Sequence, residues 1–242
     1  MKKIIITAGG TSEKIDNVRK ITNSSSGKLG MTIANNIIKE RENYIDKIYY
    51  ICSKNSFKPK HEKIEIIEIF DTNDLQEKIT YLLKKEKIDY FIHSMAVSDY
   101  TVDYVTTSRR LSEHIEKNKE NIEYAIINNK EVINANKISS YEDNLIIKLK
   151  KTPKIISLIK DLSKDTYLVG FKLLDGVTEQ ELINTALKLK EKNNCDLVVA
   201  NDLKNIRDGD HKAFIIKNEN DYIIASNKED IANKLSEVIL ND

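Results

Sequence analysis

The chain has 242 residues, 40% hydrophobic and 32% charged, with only seven Gly and two Pro, which suits a folded core and excludes a disordered or fibrous chain. Lys and Arg total 39 against 38 acidic residues, a net charge of +1, so global charge makes no case for nucleic acid or a membrane as partner. Cys52 and Cys195 are too few for a disulfide framework or a thiolate zinc site, and each reads as a small buried hydrophobe. His61, His93, His114 and His211 show no metal-ligand spacing. Two lysines lead directly into a strand, so no signal peptide is read; no apolar stretch is long enough to span a bilayer. A cytoplasmic protein is expected.

The first predicted strand, Ile4-Ile5-Ile6-Thr7-Ala8, runs into the turn Gly9-Gly10-Thr11. Adjacent glycines allow positive φ and bring backbone N–H groups close to a ligand. After a loop to Ser26, residues 27–40 read as a helix, with Leu29, Ile33, Ala34, Ile37 and Ile38 on one side. Strands are predicted at 47–52 and 63–70, then a helix carrying Leu75, Ile79, Leu82 and Leu83, with N-cap chemistry at Thr72 to Asp74. A fourth strand, 89–95, is an apolar run of the kind buried in parallel sheets.

Residues 101–136 read only as a solvated Lys- and Glu-rich helix packed across the molecule, or a subunit contact. Beyond them come a short strand at 145–149, a short helix with Pro153 at its first position, and a strand at 167–172. The capping box Thr178-Glu179-Gln180-Glu181 opens a helix to about Lys192. A strand at 196–200, closed by Asn201-Asp202, precedes an antiparallel hairpin at 212–216 and 222–225 and a final amphipathic helix from about Lys228. Strands alternating with helices argue for an α/β fold: a doubly wound, mostly parallel, Rossmann-like sheet with a small antiparallel addition. With no repeat, linker or boundary, one domain over 1–242 is expected. Ligands of such sheets sit beyond the carboxyl ends of the strands, which singles out the loops at Gly9–Thr11 and Ser94–Asp99.

Asn23-Ser24-Ser25-Ser26-Gly27-Lys28 precedes the first helix. Free amides at a helix start, its dipole and Lys28 favour an anion such as phosphate, although Ser there is also an ordinary N-cap. Thr7–Thr11 lacks both the G-x-G-x-x-G spacing and the Walker ending. Asp99 could accept from ribose hydroxyls or a base amine, help hold a metal, or merely cap. Lys137 lies in a polar loop where lysines are usually solvated. Lys188 and Lys192 share a helix face that is solvated or suits a polyphosphate. No nucleophile elbow or nucleophile–base pair is found.

Together these segments resemble the phosphopantothenoylcysteine synthetase (phosphopantothenate–cysteine ligase) family of coenzyme A biosynthesis. The resemblance lies in Ile6–Thr11, Ile15-Asp16, Val18-Arg19, Ile21–Gly30, Ala96–Tyr100, Lys137-Ile138, Lys151–Ile156, Val169–Lys172 and Asp196–Asp202. It spans nearly the whole chain apart from 101–136.

The resemblance implies a two-step ligation. The carboxylate of 4′-phosphopantothenate attacks the α-phosphorus of a nucleoside triphosphate, giving an acyl-nucleotidylate and pyrophosphate. The amine of L-cysteine then displaces the nucleoside monophosphate. By the same resemblance, Asn23 handles the acyl group and the intermediate, and Lys137 counters charge around the transferring phosphoryl group. Gly9, Gly10, Thr11, Ser25, Ser26, Gly27 and Lys28 line the polyphosphate region, completed by Lys188 and Lys192. Ser94, Met95, Ala96 and Asp99, with Pro153, Lys154, Ile155, Ile156 and Phe171, hold the base and ribose; Arg19 falls among the nucleotide- or substrate-binding residues. Mg²⁺ is expected, held largely by the triphosphate, and so is a homodimer, with the hairpin 212–225 as one candidate contact.

Departures from the family pattern are Ser139-Ser140, where many bacterial relatives carry further lysines, and Met95 and Ser98 in place of usual alanines. CTP, as in bacterial members, is favoured over ATP. The flavin decarboxylase half of fused relatives is expected to be a separate protein, and no flavin is expected here. The alternatives are an NAD(P)-dependent Rossmann-type reductase, disfavoured by the missing glycine fingerprint and Tyr-x-x-x-Lys pair, and a non-catalytic nucleotide-sensing protein.

Overall fold

The computed structural model describes residues 1–206 and 211–240. In chain order, β1 (Lys2–Ala8) is followed by the short strands β2 (Ser12–Lys14) and β3 (Lys20–Thr22), α1 (Lys28–Arg41), β4 (Ile45–Ser53) and β5 (Ile64–Ile69). Next come α2 (Thr72–Lys85), β6 (Tyr90–His93), β7 (Tyr100–Thr107), α3 (Ser108–Lys117), α4 (Ile122–Ile127) and β8 (Leu145–Lys151). The chain continues through α5 (Ile155–Leu162), β9 (Tyr167–Leu174), α6 (Glu179–Lys192), β10 (Leu197–Ile206), β11 (His211–Asn218), β12 (Asp221–Ala225) and α7 (Lys228–Leu240).

The residues fall into two compact units that interleave in sequence: Met1–Thr11, Ser24–Val97 and Lys154–Asp242 in one, Ser12–Asn23 and Ser98–Pro153 in the other. No change of composition marks the crossing points, so this division is not legible in the sequence.

The first unit carries an eight-stranded sheet in the order β12-β11-β10-β9-β6-β1-β4-β5. The six strands from β10 to β5 are parallel, and β11 and β12 add as an antiparallel hairpin. The expected α/β architecture is therefore the observed one. From β1 the chain winds outward through β4 and β5, then returns to β6 and winds the other way, which puts a topological switch point between β1 and β6. Alternate residues of β1 enter opposite layers: Ile4 and Ile6 pack with α1 and α7, Ile5 with α2, α5 and α6. Burial on both faces explains the continuous apolar runs of the central strands.

The second unit consists of the β2–β3 hairpin, the antiparallel pair β7–β8, α3 and α4. Here the sequence reading falls short. β2 and β3 lie in a stretch expected to be loop, and β7 occupies the start of 101–136. The strand Tyr-Thr-Val-Asp-Tyr-Val-Thr-Thr is β-branched but carries no apolar run. The charged helix expected in that region is present as α3, followed by α4.

Other boundaries also shift. The cap of α2 is Asp71, whose carboxylate accepts the Asp74 N–H at 2.8 Å, not the Thr72–Asp74 segment. α5 begins at Ile155 behind Lys154, leaving Pro153 outside the helix. β10 continues through Asn201-Asp202 to Ile206, since Asn201 and Asp202 still pair with β9 and Ile206 with β11; the Asp202 carboxylate also accepts the backbone N–H groups of Gly176, Val177 and Lys204. Thr178 caps α6 as expected, accepting the Glu181 N–H.

Phe91, fully buried in β6 within the α2/α5/α6 layer, sets the stability scale of this unit. Phe91→Ala is expected to cost about 3–5 kcal/mol in urea unfolding, whereas Tyr81→Ala at an exposed position changes stability by less than about 0.5 kcal/mol.

Candidate functional site

In the first unit, four segments converge beyond the carboxyl end of β1. Gly9 has φ 83°, and a Cβ there would fall 1.9 Å from Ser56 Oγ and 2.6 Å from Ser53 Oγ, so no other residue fits. The two hydroxyls are hydrogen-bonded to each other at 2.6 Å in the turn after β4. The loop after β6 is tied to the same point: Ala96 N–H donates to Gly9 O at 2.8 Å, and Thr11 N–H to Ala96 O at 3.2 Å.

The fourth segment is the start of α1. Its N-cap is Gly27, left-handed at φ 73°, with no side-chain cap. A Cβ on Gly27 would lie 3.1 Å from Gly9 N and 3.0 Å from Ser56 Cβ. The serines are thus not the N-cap, although Ser26 Oγ accepts the Lys28 N–H at 3.3 Å. Ser24, Ser25, Ser26 and Lys28 are exposed, while Gly9, Gly10, Thr11 and Gly27 are buried. Backbone donors at a helix start, beside exposed hydroxyls and a lysine, are chemistry that suits an anion.

The structure reassigns several expected contact residues. Ser94 Oγ donates to Thr7 O at 2.7 Å, and Met95 and Ile155 are core side chains. Ala96 spends both backbone groups on the glycine loop. Ser94 and Ala96 are thereby tied to β1 and its glycine loop through these bonds. Phe171 packs on the α1/α7 layer, whereas Ile155 and Ile156 pack on the opposite layer, so the sheet separates these expected contacts. α6 runs back from the carboxyl end of β9 to the start of β10. Lys188 and Lys192 in its last two turns therefore lie toward the opposite edge from Gly9-Gly10. Helical spacing places the two on one face but says nothing of which end of the sheet that face serves.

His93, at the end of β6, is buried, and burial pushes its pKa down to about 4. Its Nδ1 is 2.8 Å from Thr7 Oγ1, which also takes the Met95 N–H at 3.4 Å. A neutral ring accepting the threonine proton satisfies this arrangement.

Asn23, Lys137, Arg19, Asp99 and Pro153 belong to the second unit. The side chain of Asp16, between β2 and β3, is completely shielded from water. It accepts the N–H groups of Val18 (2.8 Å), Arg19 (2.7 Å) and Ile138 (3.0 Å), plus Arg19 Nε (3.0 Å) and Nη2 (2.7 Å). The Ile138 N–H above all, with the backbone and guanidinium donors of Arg19 and the Val18 N–H, holds this carboxyl far below the usual carboxylate range. Arg19 also donates from Nη2 to Ile138 O at 2.6 Å. These bonds orient its guanidinium, while the side chain stays 41% exposed. Asn23 follows β3 directly and is half-buried, and the Lys137 side chain is exposed. Asp99 and Pro153 are exposed at the base of β7–β8, where Thr152 N–H donates to Asp99 O at 3.0 Å.

Sequence reasoning missed Ser53 and Ser56, and it gave Asp16 no role. Ser-x-x-Ser after a strand is too common to single out, and Asp16 matters only because residue 138 folds back onto it.

A family model for the DNA/pantothenate metabolism flavoprotein C-terminal domain matches residues 1–136 and 130–241. The chain belongs to this family. The DNA/pantothenate metabolism flavoprotein from Streptococcus pneumoniae, a crystal structure, is 38% identical, with a TM-score of 0.84 over 100% of this chain and 99% of that one. The coenzyme A biosynthesis bifunctional protein CoaBC of Thermococcus kodakarensis is 36% identical over 84% of this chain and 42% of its own length. Its counterpart from Methanocaldococcus jannaschii is 30% identical over 98% of this chain and 50% of its own length. The chain thus spans about half the length of the curated relatives it matches. The resemblance read from the sequence holds at the level of the family.

Gly27→Ala is expected to be more destabilising than Gly176→Ala. Both sites have positive φ, but nothing lies within 4 Å of a Cβ at Gly176. Urea unfolding should show about 1–2 kcal/mol for the backbone strain alone and about 1–3 kcal/mol more at Gly27 from crowding. For Asp16 the folded pKa is depressed, so its stabilisation is complete above the unfolded carboxyl pKa of about 4. It fades as pH falls through the folded value. The stability gap between the wild type and Asp16→Asn should therefore be narrower at pH 3 than at pH 7.

Proposed function

We propose that this chain is a phosphopantothenate–cysteine ligase of coenzyme A biosynthesis, its two units acting together as one ligase domain over 1–242. The observation that carries the reading is the meeting of left-handed Gly9 with left-handed Gly27 at the start of α1, where exposed hydroxyls and Lys28 flank the helix-start amides. That arrangement suits a polyphosphate. The family match over both halves of the chain and the coenzyme A biosynthesis role in the names of the relatives support the pathway.

On this reading the 4′-phosphopantothenate carboxylate attacks the α-phosphorus of CTP, and pyrophosphate leaves. The cysteine amine then attacks the acyl carbon, and CMP departs with the oxygen through which the acyl group was activated. The Asn23 amide polarises the acyl oxygen, and Lys137 offsets charge on the transferring phosphoryl group. Among the described residues no group of three or more His, Cys, Asp or Glu side chains could hold a metal ion. Mg²⁺ would enter bound to the triphosphate, which needs at most one or two carboxylates from the protein. No step on this chain needs a flavin; a phosphopantothenoylcysteine decarboxylase would take the product onward.

A homodimer belongs to the same proposal, with β11–β12 as a candidate contact. Among the described residues no helix is long and apolar enough to cross a membrane, and a cytoplasmic location is proposed. A nicotinamide-dependent reductase fits less well. The strand order is that of dinucleotide folds, but β2 and β3 intervene between β1 and α1, where a pyrophosphate-binding turn would pass directly into the helix.

The test supplies Mg²⁺, 4′-phosphopantothenate and L-cysteine with CTP or ATP in parallel, following pyrophosphate and the mass of the amide. Amide with CTP is expected; amide with ATP alone would change the nucleotide, and none with either would sink the ligase reading. Asn23→Asp and Lys137→Gln should each lower turnover at least about a hundredfold without loss of circular dichroism. Near-normal rates in both would remove them from the chemistry.

A further inference from the structure

We propose that Asp16 is a positioning residue for Lys137, holding the peptide groups on both sides of that lysine so that its side chain leaves the fold in one direction. The proposal rests on the reading of Lys137 as a catalytic group and adds a residue through which that group is controlled.

Three hydrogen bonds reach from the β2–β3 connection to the segment around Lys137. Asn17 N–H donates to Asn136 O at 2.9 Å, Ile138 N–H donates to Asp16 Oδ2 at 3.0 Å, and Arg19 Nη2 donates to Ile138 O at 2.6 Å. The peptide before Lys137 is thus held through its carbonyl and the peptide after it through its N–H. Ile138 is 2% exposed, which pins the next side chain as well. Lys137 is left with a fixed Cα and an exposed side chain. The segment 132–138 has no helix or strand of its own, so these bonds do the work that regular structure does elsewhere.

A brace for the hairpin alone would need less. One oxygen of Asp16 already closes the local turn through Val18 and Arg19 N–H, the ordinary use of an aspartate in a connection of this kind. The second oxygen takes the local Arg19 fork and the long-range Ile138 N–H, and the carboxylate they enclose is shielded from water. Burying a carboxylate is costly unless every lone pair is satisfied. All five partners are donors, so the group is ionised and its orientation is over-determined. That is a device for fixing geometry: a displacement of about 1 Å at a reacting group can cost about a hundredfold in rate.

The experiment is a double-mutant cycle on the full chain with CTP, 4′-phosphopantothenate and L-cysteine, reading kcat and KM for the nucleotide. Asp16→Asn should lower kcat at least about tenfold with KM changed less than about twofold. Added to Lys137→Gln, the same substitution should cost less than about twofold, because the group it positions is already gone. An unchanged kcat in Asp16→Asn, or a loss that multiplies fully onto Lys137→Gln, overturns the proposal. Should Asp16→Asn fail to fold, Arg19→Lys keeps the charge, breaks the fork and enters the same cycle. Wild-type protein that forms no amide sinks the ligase reading instead. The clamp is then judged by hydrogen exchange of the Ile138 amide, expected at least about tenfold faster in Asp16→Asn with the sheet unchanged; equal exchange overturns it.

Discussion

The close approach of α1 to the end of β1 governs the first unit. A Cβ on Gly30 would lie 2.6 Å from the Ala8 Cβ, and one on Gly27, a turn earlier, 3.1 Å from Gly9 N. With no side chain in the way, the helix starts directly over the end of the central strand. Its apolar face, Ile33, Ala34 and Ile37, then packs on Ile4 and Ile6, and α7 packs alongside. One constraint thus seats a helix layer and brings helix-start backbone N–H groups to the strand-end loop. The Tyr50 hydroxyl completes the arrangement by donating within reach of Gly27 O (3.3 Å) and Phe57 O (3.0 Å).

The second unit is held on a different physical basis. Where the first relies on two apolar layers, the second centres its hairpin on a buried carboxylate and an arginine fork. Apolar packing is tolerant of small rearrangements, whereas a fully satisfied ion pair has one acceptable geometry. The residues proposed for chemistry, Asn23 and Lys137, sit on the unit built the second way. The phosphate-type loop sits on the unit built the first way, and backbone amides supply its chemistry.

Burial also sets the charge of the loop's surroundings. His93 is kept neutral by desolvation and bonded to Thr7, so it changes no charge near the glycine loop at neutral pH. Cys52 and Cys195 are buried, and burial pushes both thiols up to about 11. They behave as the small hydrophobes their sequence neighbours suggest.

Local and periodic features were legible in the sequence. The apolar runs of β1, β4, β6, β9 and β10, the cap at Thr178 and the alternation of strand and helix follow from burial on both faces and backbone chemistry, and they suffice for a parallel α/β sheet. So were the glycine pair and the small residues before Lys28, because such turns demand those residue types. Everything that depends on distant segments meeting was decided by tertiary structure. β2, β3 and β7 exist through pairing and carry no apolar run of their own. Lys188 and Lys192 share a face, but chain direction takes them away from the loop. Phe171 and Ile156 are both apolar, but the sheet separates them. Asp16 and Ile138 lie 122 residues apart, and only folding makes one the hydrogen-bond acceptor of the other. Periodicity reports which face of an element is buried; it carries no information about which far-off residue completes a hydrogen bond.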